Sequence, residues 1–114
     1  MKGAREEALA CLHLEQQGLR LIDRNVRVQA GELDLVMQDG DTLVIVEVRK
    51  RSHSGFGSAA ESVDARKRGR IVMATRKLLA GRPELAKLSV RFDVIALDAA
   101  DRIEWIADAF DVSD

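Results

Sequence analysis

The sequence predicts an α/β fold in the order αβββαββ, with a mixed sheet flanked by helices, and three observations carry that expectation. Residues 32–38 and 42–50 are apolar, alternating runs on either side of Asp39-Gly40, a pair of residues that favours tight hairpin turns. After them Val63, Lys67, Ile71, Ala74 and Leu78 recur at three- and four-residue spacing, the period of a helix with one inward stripe. Two more strand-like runs follow, "LSVRFDVIAL" (88–97) and "RIEWIA" (102–107), so the helix has to cross between strands of one sheet.

Taken in order, residues 3–17 read as a first helix, with Ala4, Ala8, Cys11, Leu12 and Glu15 marking one side and Gly18 ending it. "LRLIDRNVRV" (19–28) alternates as a strand, and Ala30-Gly31 breaks it. The hairpin comes next, then "SHSGFGS" (52–58), a loop with Gly55 and Gly57. Ser58-Ala-Ala-Glu61 fits a capping box that opens the long helix, which runs to about Ala80 and is stopped by Gly81 and Pro83. The tail "DAFDVSD" is read as packing across a sheet edge. Without repeats or linker-like composition, residues 1–114 read as one domain.

Composition closes off several classes. An apolar fraction of 46% with 32% charged residues is ordinary for a globular protein. The single cysteine, Cys11, rules out a disulfide framework and a cysteine-based zinc site. No apolar run approaches the roughly 20 residues that span a bilayer, and the charged N-terminus has no signal-peptide core, so a cytoplasmic location without membrane contact is expected. The net charge of −1 hides an asymmetry: 12 of the 18 Lys and Arg fall between Arg49 and Arg91, against three of the 19 acids. A basic face of that kind suits phosphates, although a solvated basic helix has the same composition.

Asp34 and Glu47 sit inside the two hydrophobic runs of the hairpin. With Asp39-Gly40 as the central turn residues, Gln38 pairs with Asp41 and Asp34 with Ile45, and Ile45, Glu47 and Arg49 share the face of Asp34. The two acids are then diagonal neighbours, about 7–8 Å apart at the backbone, and Glu32 stands opposite Glu47. That spacing suits two carboxylates sharing one oxygen-liganded cation at about 2.0–2.6 Å from each. The alternative is an ion pair with Arg49 or with a basic residue of the long helix, because a buried carboxylate must be paired, neutralised or bound to metal.

The runs "GELDLV" (31–36), "VIVEVRKR" (44–51), "RFDVIAL" (91–97) and "DAF" (108–110) make the chain resemble, over nearly its whole length, the YraN-like uncharacterised family of bacteria. That family is similar to the PD-(D/E)xK nuclease superfamily, the restriction-endonuclease-like fold shared with Holliday-junction resolvases. The resemblance implies such a core, with Asp34 as the first acid, Glu47 as the second, Arg49 in the place of the lysine, and Glu7 in the place of a helix-1 glutamate. Asp34 and Glu47 would be the ligands of Mg²⁺ (or Mn²⁺). Glu6 stands where the family commonly has glycine, which bears on the helix start more than on the chemistry. Arg49 bears on the chemistry, since arginine offers charge and a bidentate grip on phosphate but cannot act as a base.

Other residues fill in the surface. Lys67 lies on the inward stripe, either as a snorkelling lysine or as a substitute cation directed at the acids, while Arg66, Arg68 and Arg70 face outward. Arg51 shares the face of Glu47 and would extend a phosphate-binding edge. His13 and His53 are too few for a histidine metal cluster, Cys11, Phe92 and Trp105 read as core, and Phe56 reads as a base-stacking or interface residue. The expected function is a metal-dependent endonuclease acting on structured or damaged DNA, branched or single-stranded, with a homodimer left open. A nucleic-acid-binding module without hydrolysis, or a protein-interaction subunit, are the alternatives.

Overall fold

The structure, a computed structural model, describes residues 3–51 and 60–112. Five strands form one sheet in chain order: β1 (Arg20–Val28), β2 (Gly31–Asp39), β3 (Thr42–Lys50), β4 (Ser89–Leu97) and β5 (Ile103–Phe110). Neighbours are antiparallel except β3 and β4, which run parallel. A parallel pair needs a long crossover, and α2 (Ala65–Gly81) supplies it, preceded by a 3-10 turn at Ala60–Ser62 and followed by the short α3 (Pro83–Ala86). With α1 (Ala4–Gln16) before the sheet, the order is the expected αβββαββ of a restriction-endonuclease-like core, and α3 is a single added turn.

Side-chain alternation in β3 explains why helices cover both faces. Val44, Val46 and Val48 pack with Ala10 and Leu14 of α1, while Leu43 and Ile45 pack with Ile71 and Leu78 of α2. A strand apolar on both faces is stable only when both are covered. β2 departs from simple alternation. Leu33 and Leu35, two residues apart, would share a face in an unbroken strand, yet Leu33 joins the cluster under α2 and Leu35 the cluster under α1. The strand therefore turns over at Asp34.

The start of the long helix, the hairpin register and the burial of Arg68 differ from the sequence reading. The long helix begins at Ala65, because the Asp64 carboxylate caps it by accepting the Lys67 N–H at 2.9 Å. Glu61 lies in the 3-10 turn instead, and Ser58, Phe56 and His53 lie outside the described residues. The hairpin register also shifts by two: Asp39 pairs with Thr42 and Gln38 with Leu43, so the turn is centred on Gly40-Asp41. Only Gly40 of those two has positive φ, 59°, which suits a turn with glycine at its first central position. Continued along the strands, this register sets Asp34 level with Glu47 rather than Ile45, and Glu32 level with Arg49 rather than Glu47. Arg68, expected on the exposed face of α2, is partly buried.

The tail differs too. β5 runs on to Phe110 because a buried acid on β4 reshapes it. Asp93 has no exposed surface, and its carboxylate accepts from Arg91 Nε at 2.9 Å and Nη2 at 3.0 Å, Trp105 Nε1 at 2.9 Å and the Asp108 N–H at 2.9 Å. Asp108 meets it from a left-handed backbone, φ 54°, where the β4–β5 register slips. Beyond the slip Phe110 stacks on Phe92, ring centres 5.0 Å apart. Removing that carboxylate takes away the acceptor of Trp105 Nε1 and of the Asp108 N–H and leaves Arg91 only its longer contact with Asp39, 3.8 Å. Asp93→Ala is expected to lower the unfolding free energy by about 3–5 kcal/mol, read from a urea denaturation curve; a loss of only a few tenths would contradict this account of β5.

Candidate functional site

The β2–β3 ladder pairs as far as Leu35 and Val46. One step further the Val48 N–H, which would face Leu33 in an unbroken ladder, donates to Asp34 Oδ2 at 2.9 Å. The carboxylate thus takes the place of a backbone acceptor, and β2 turning over at Asp34 is what brings it there. An acid only 3% exposed is in this way given a donor without an opposing strand.

Helix α1 delivers Glu7 to the same place. Its first turn is set by Gly3, whose N–H donates to Glu6 Oε1 at 2.8 Å and holds that carboxyl below the ordinary range. Glu6 therefore caps the helix, and Glu7, 6% exposed, faces the sheet. Ligand atoms of Glu7, Glu32 and Asp34 all lie within 4.8 Å of one another. Two oxygens on opposite sides of a hard divalent cation are about 4–5 Å apart, so three carboxylates at this spacing can hold one. Among the described residues the group contains only carboxylates, which favours Mg²⁺, Mn²⁺ or Ca²⁺ over softer metals. The three acids, with Asn25, Arg27 and Arg49, line a cleft of about 710 Å³.

Glu47 is held differently. Its side chain is 2% exposed, and Oε2 lies 3.2 Å from Lys67 Nζ and 3.7 Å from Arg49 Nη1. Lys67 does reach inward from α2 to the acid, as its place on the apolar stripe suggested, while keeping 34% of its side chain exposed. Arg49 also donates to the Ser62 carbonyl at 3.1 Å, tying β3 to the turn before α2. Among the described residues Glu47 is not a member of the three-acid group. The pair of acids expected to share a cation is thus accompanied by Glu7 and Glu32 at Asp34 and by two cations at Glu47.

The remaining basic residues divide. Arg51 forms a close pair with Glu104 of β5, 2.6 Å, while Arg66 and Arg70 are exposed on α2. Sequence reasoning placed Glu32 near the acids but not among possible ligands, because its partner Glu7 comes from another element. Asn25 and Arg27 of β1 were missed; the only sequence signal was that their strand precedes "GELDLV".

The model of the family described as "Uncharacterised protein family UPF0102" matches residues 6–97, from α1 through β4. The chain belongs to this family. The UPF0102 match contains Glu7, Glu32, Asp34, Glu47, Arg49 and Lys67, and the bacterial kinship expected from the motifs holds. UPF0102 relatives include a protein of Ectopseudomonas mendocina, 53% identical over 111 residues, covering 96% of this chain and 93% of that one. Another, from Xanthomonas campestris pv. campestris, is 50% identical over 114 residues, covering 99% and 93%. A Pseudomonas aeruginosa member is 48% identical over 115 residues, covering 96% and 92%. Among solved structures, the chain is similar to Pyrococcus furiosus SfsA in complex with Ca²⁺, at 16% identity and a TM-score of 0.36, covering 91% of this chain and 61% of that one. Among the described residues, no helix is long and apolar enough to cross a membrane.

The Glu47 contacts can be weighed directly. Lys67→Met removes the nearer cation from the buried Glu47 carboxylate and is expected to destabilise the fold by about 1–3 kcal/mol, with Glu47→Gln in the same chain recovering most of the loss. A double-mutant cycle in urea measures this; additive losses would mean that the two side chains do not interact.

Proposed function

We propose that this protein is a metal-dependent nuclease-like enzyme that hydrolyses phosphodiesters in structured or damaged DNA, branched or single-stranded. The observation that carries the reading is the meeting of Glu7, Glu32 and Asp34 within 4.8 Å in a cleft edged by Arg27 and Arg49. Oxygen ligands and cations side by side are what a phosphodiester requires. Glu7, Glu32 and Asp34 would hold Mg²⁺ or Mn²⁺, which would supply Lewis-acid polarisation of the phosphate. Arg49 offsets charge that develops on the phosphoryl oxygens. Lys67 adds a second cation, because its ammonium, held 3.2 Å from Glu47 Oε2, can orient a water and offset charge at the phosphate. The arginine at 49 is then compatible with hydrolysis, since the lysine is supplied by α2. Arg66 and Arg70 extend the phosphate-binding surface along that helix.

A second reading, a binding module without hydrolysis, is favoured by one observation, the ion pairing of Glu47 with Lys67 and Arg49. Under it these contacts are structural, and the basic groups bind the backbone only.

The deciding experiment has two arms. Mg²⁺ or Mn²⁺ at 100 times its dissociation constant should stabilise the parent by about 2.7 kcal/mol, and Asp34→Asn should abolish the effect. Branched, flapped and single-stranded DNA should be cut at low salt by the parent, about 100-fold or more slowly by Lys67→Met and Arg49→Ala, and at least comparably by Arg49→Lys. Salt-sensitive DNA binding without cleavage in the parent selects the binding module. Absence of both metal binding and DNA binding removes both readings.

A further inference from the structure

We infer that Asn25 is a positioning residue for Asp34, an inference that rests on the metal-site reading above. Asn25 lies in the edge strand β1 with φ of 52°, a left-handed conformation that Asn adopts more readily than most residues. On either side of it the pairing with β2 is regular, Arg24 with Leu35 and Val26 with Leu33. The register between those pairs sets Asn25 level with Asp34, and at that level the ladder skips.

On β2 the same level is where the strand turns over between Leu33 and Leu35. It is also where Asp34 Oδ2 receives the Val48 N–H from the opposite neighbour. Two irregularities on adjacent strands thus coincide, and one cause accounts for both. The left-handed residue bends β1, β2 is released from the flat pleat beside it, and the Asp34 side chain swings into the plane of the sheet towards β3. Asn25 itself is exposed and lines the cleft that holds the three acids.

The molecule contains a parallel at its other edge. There Asp108 of β5, φ 54°, bends against buried Asp93 of β4 and donates its N–H to that carboxylate at 2.9 Å. In both cases one left-handed residue of an edge strand accompanies a buried aspartate on the next strand. At Asp93 the bend serves the core; at Asp34 it serves the cleft.

The test compares Asn25→Gly, which leaves the left-handed backbone accessible, with Asn25→Val, whose β-branched side chain disfavours it. Two quantities are read: hydrogen exchange at the Val48 amide, and Mn²⁺ affinity by calorimetry. The glycine variant should match the parent in both. The valine variant should exchange the Val48 amide faster and bind Mn²⁺ about 10–100-fold more weakly, as loss of an outer support does. Asn25→Ala, a milder change in the same direction, replaces it if the valine variant does not fold. Asp108→Val, the matched change at the other edge, should leave both quantities at the parent value. The inference is overturned if the valine and glycine variants behave alike, or if Asp108→Val reproduces the loss. Should the parent bind no Mn²⁺, the metal-site reading fails, while Val48 exchange still decides whether Asn25 places Asp34.

Discussion

One backbone amide organises this molecule. Where β2 and β3 part, the Val48 N–H donates to a side chain, Asp34, instead of to a strand. A buried amide left without an acceptor would cost about 1–3 kcal/mol, so the opening of the hairpin needs that carboxylate. In return the carboxylate is fixed in the plane of the sheet, where Glu7 from one covering helix can approach it. The parting of the strands and the gathering of the acids are one event seen from two sides.

Buried acids alone do not mark a site, as Asp93 makes plain. It is more deeply buried than Asp34, yet four protein donors surround it, and they close the β4–β5 pairing around it. Glu7, Glu32 and Asp34 instead bring several oxygens to one cleft. What separates the two cases is the company each carboxylate keeps: four donor atoms converge on Asp93, whereas Asp34, which accepts the Val48 N–H, also has ligand atoms of Glu7 and Glu32 within 4.8 Å. Glu47 stands between them, with its charge offset by Lys67 and Arg49.

The order of elements was legible because each is punctuated by residues with strong backbone preferences. Gly18, Gly40 and Gly81-Arg-Pro83 end elements close to where they were expected to. Register was less legible. Asp39-Gly40 and Gly40-Asp41 are both acceptable turn centres, and choosing between them shifts every cross-strand neighbour by two without changing which face each side chain takes. The start of α2 failed for a similar reason, since Ser58 and Asp64 are both good caps and only the path of the chain distinguishes them. Lys67 was readable as an inward cation from helical spacing alone. The roles of Glu32 and Asn25 were not, because they depend on where β2 turns over and on what α1 brings to it.

The two bent edge strands have a consequence for how the protein meets its own copies. A flat sheet edge offers a row of amides and carbonyls that another strand can extend, and natural sheets interrupt such rows with bulges and charges. Here β1 is broken by a register slip between Leu21 and Asp23 and by the bend at Asn25, and it carries Arg20, Arg24 and Arg27. β5 is broken where Asp108 turns towards Asp93. Neither border presents an uninterrupted template, so the geometry that arranges the acids and the core also discourages the sheet from growing by addition of a sixth strand.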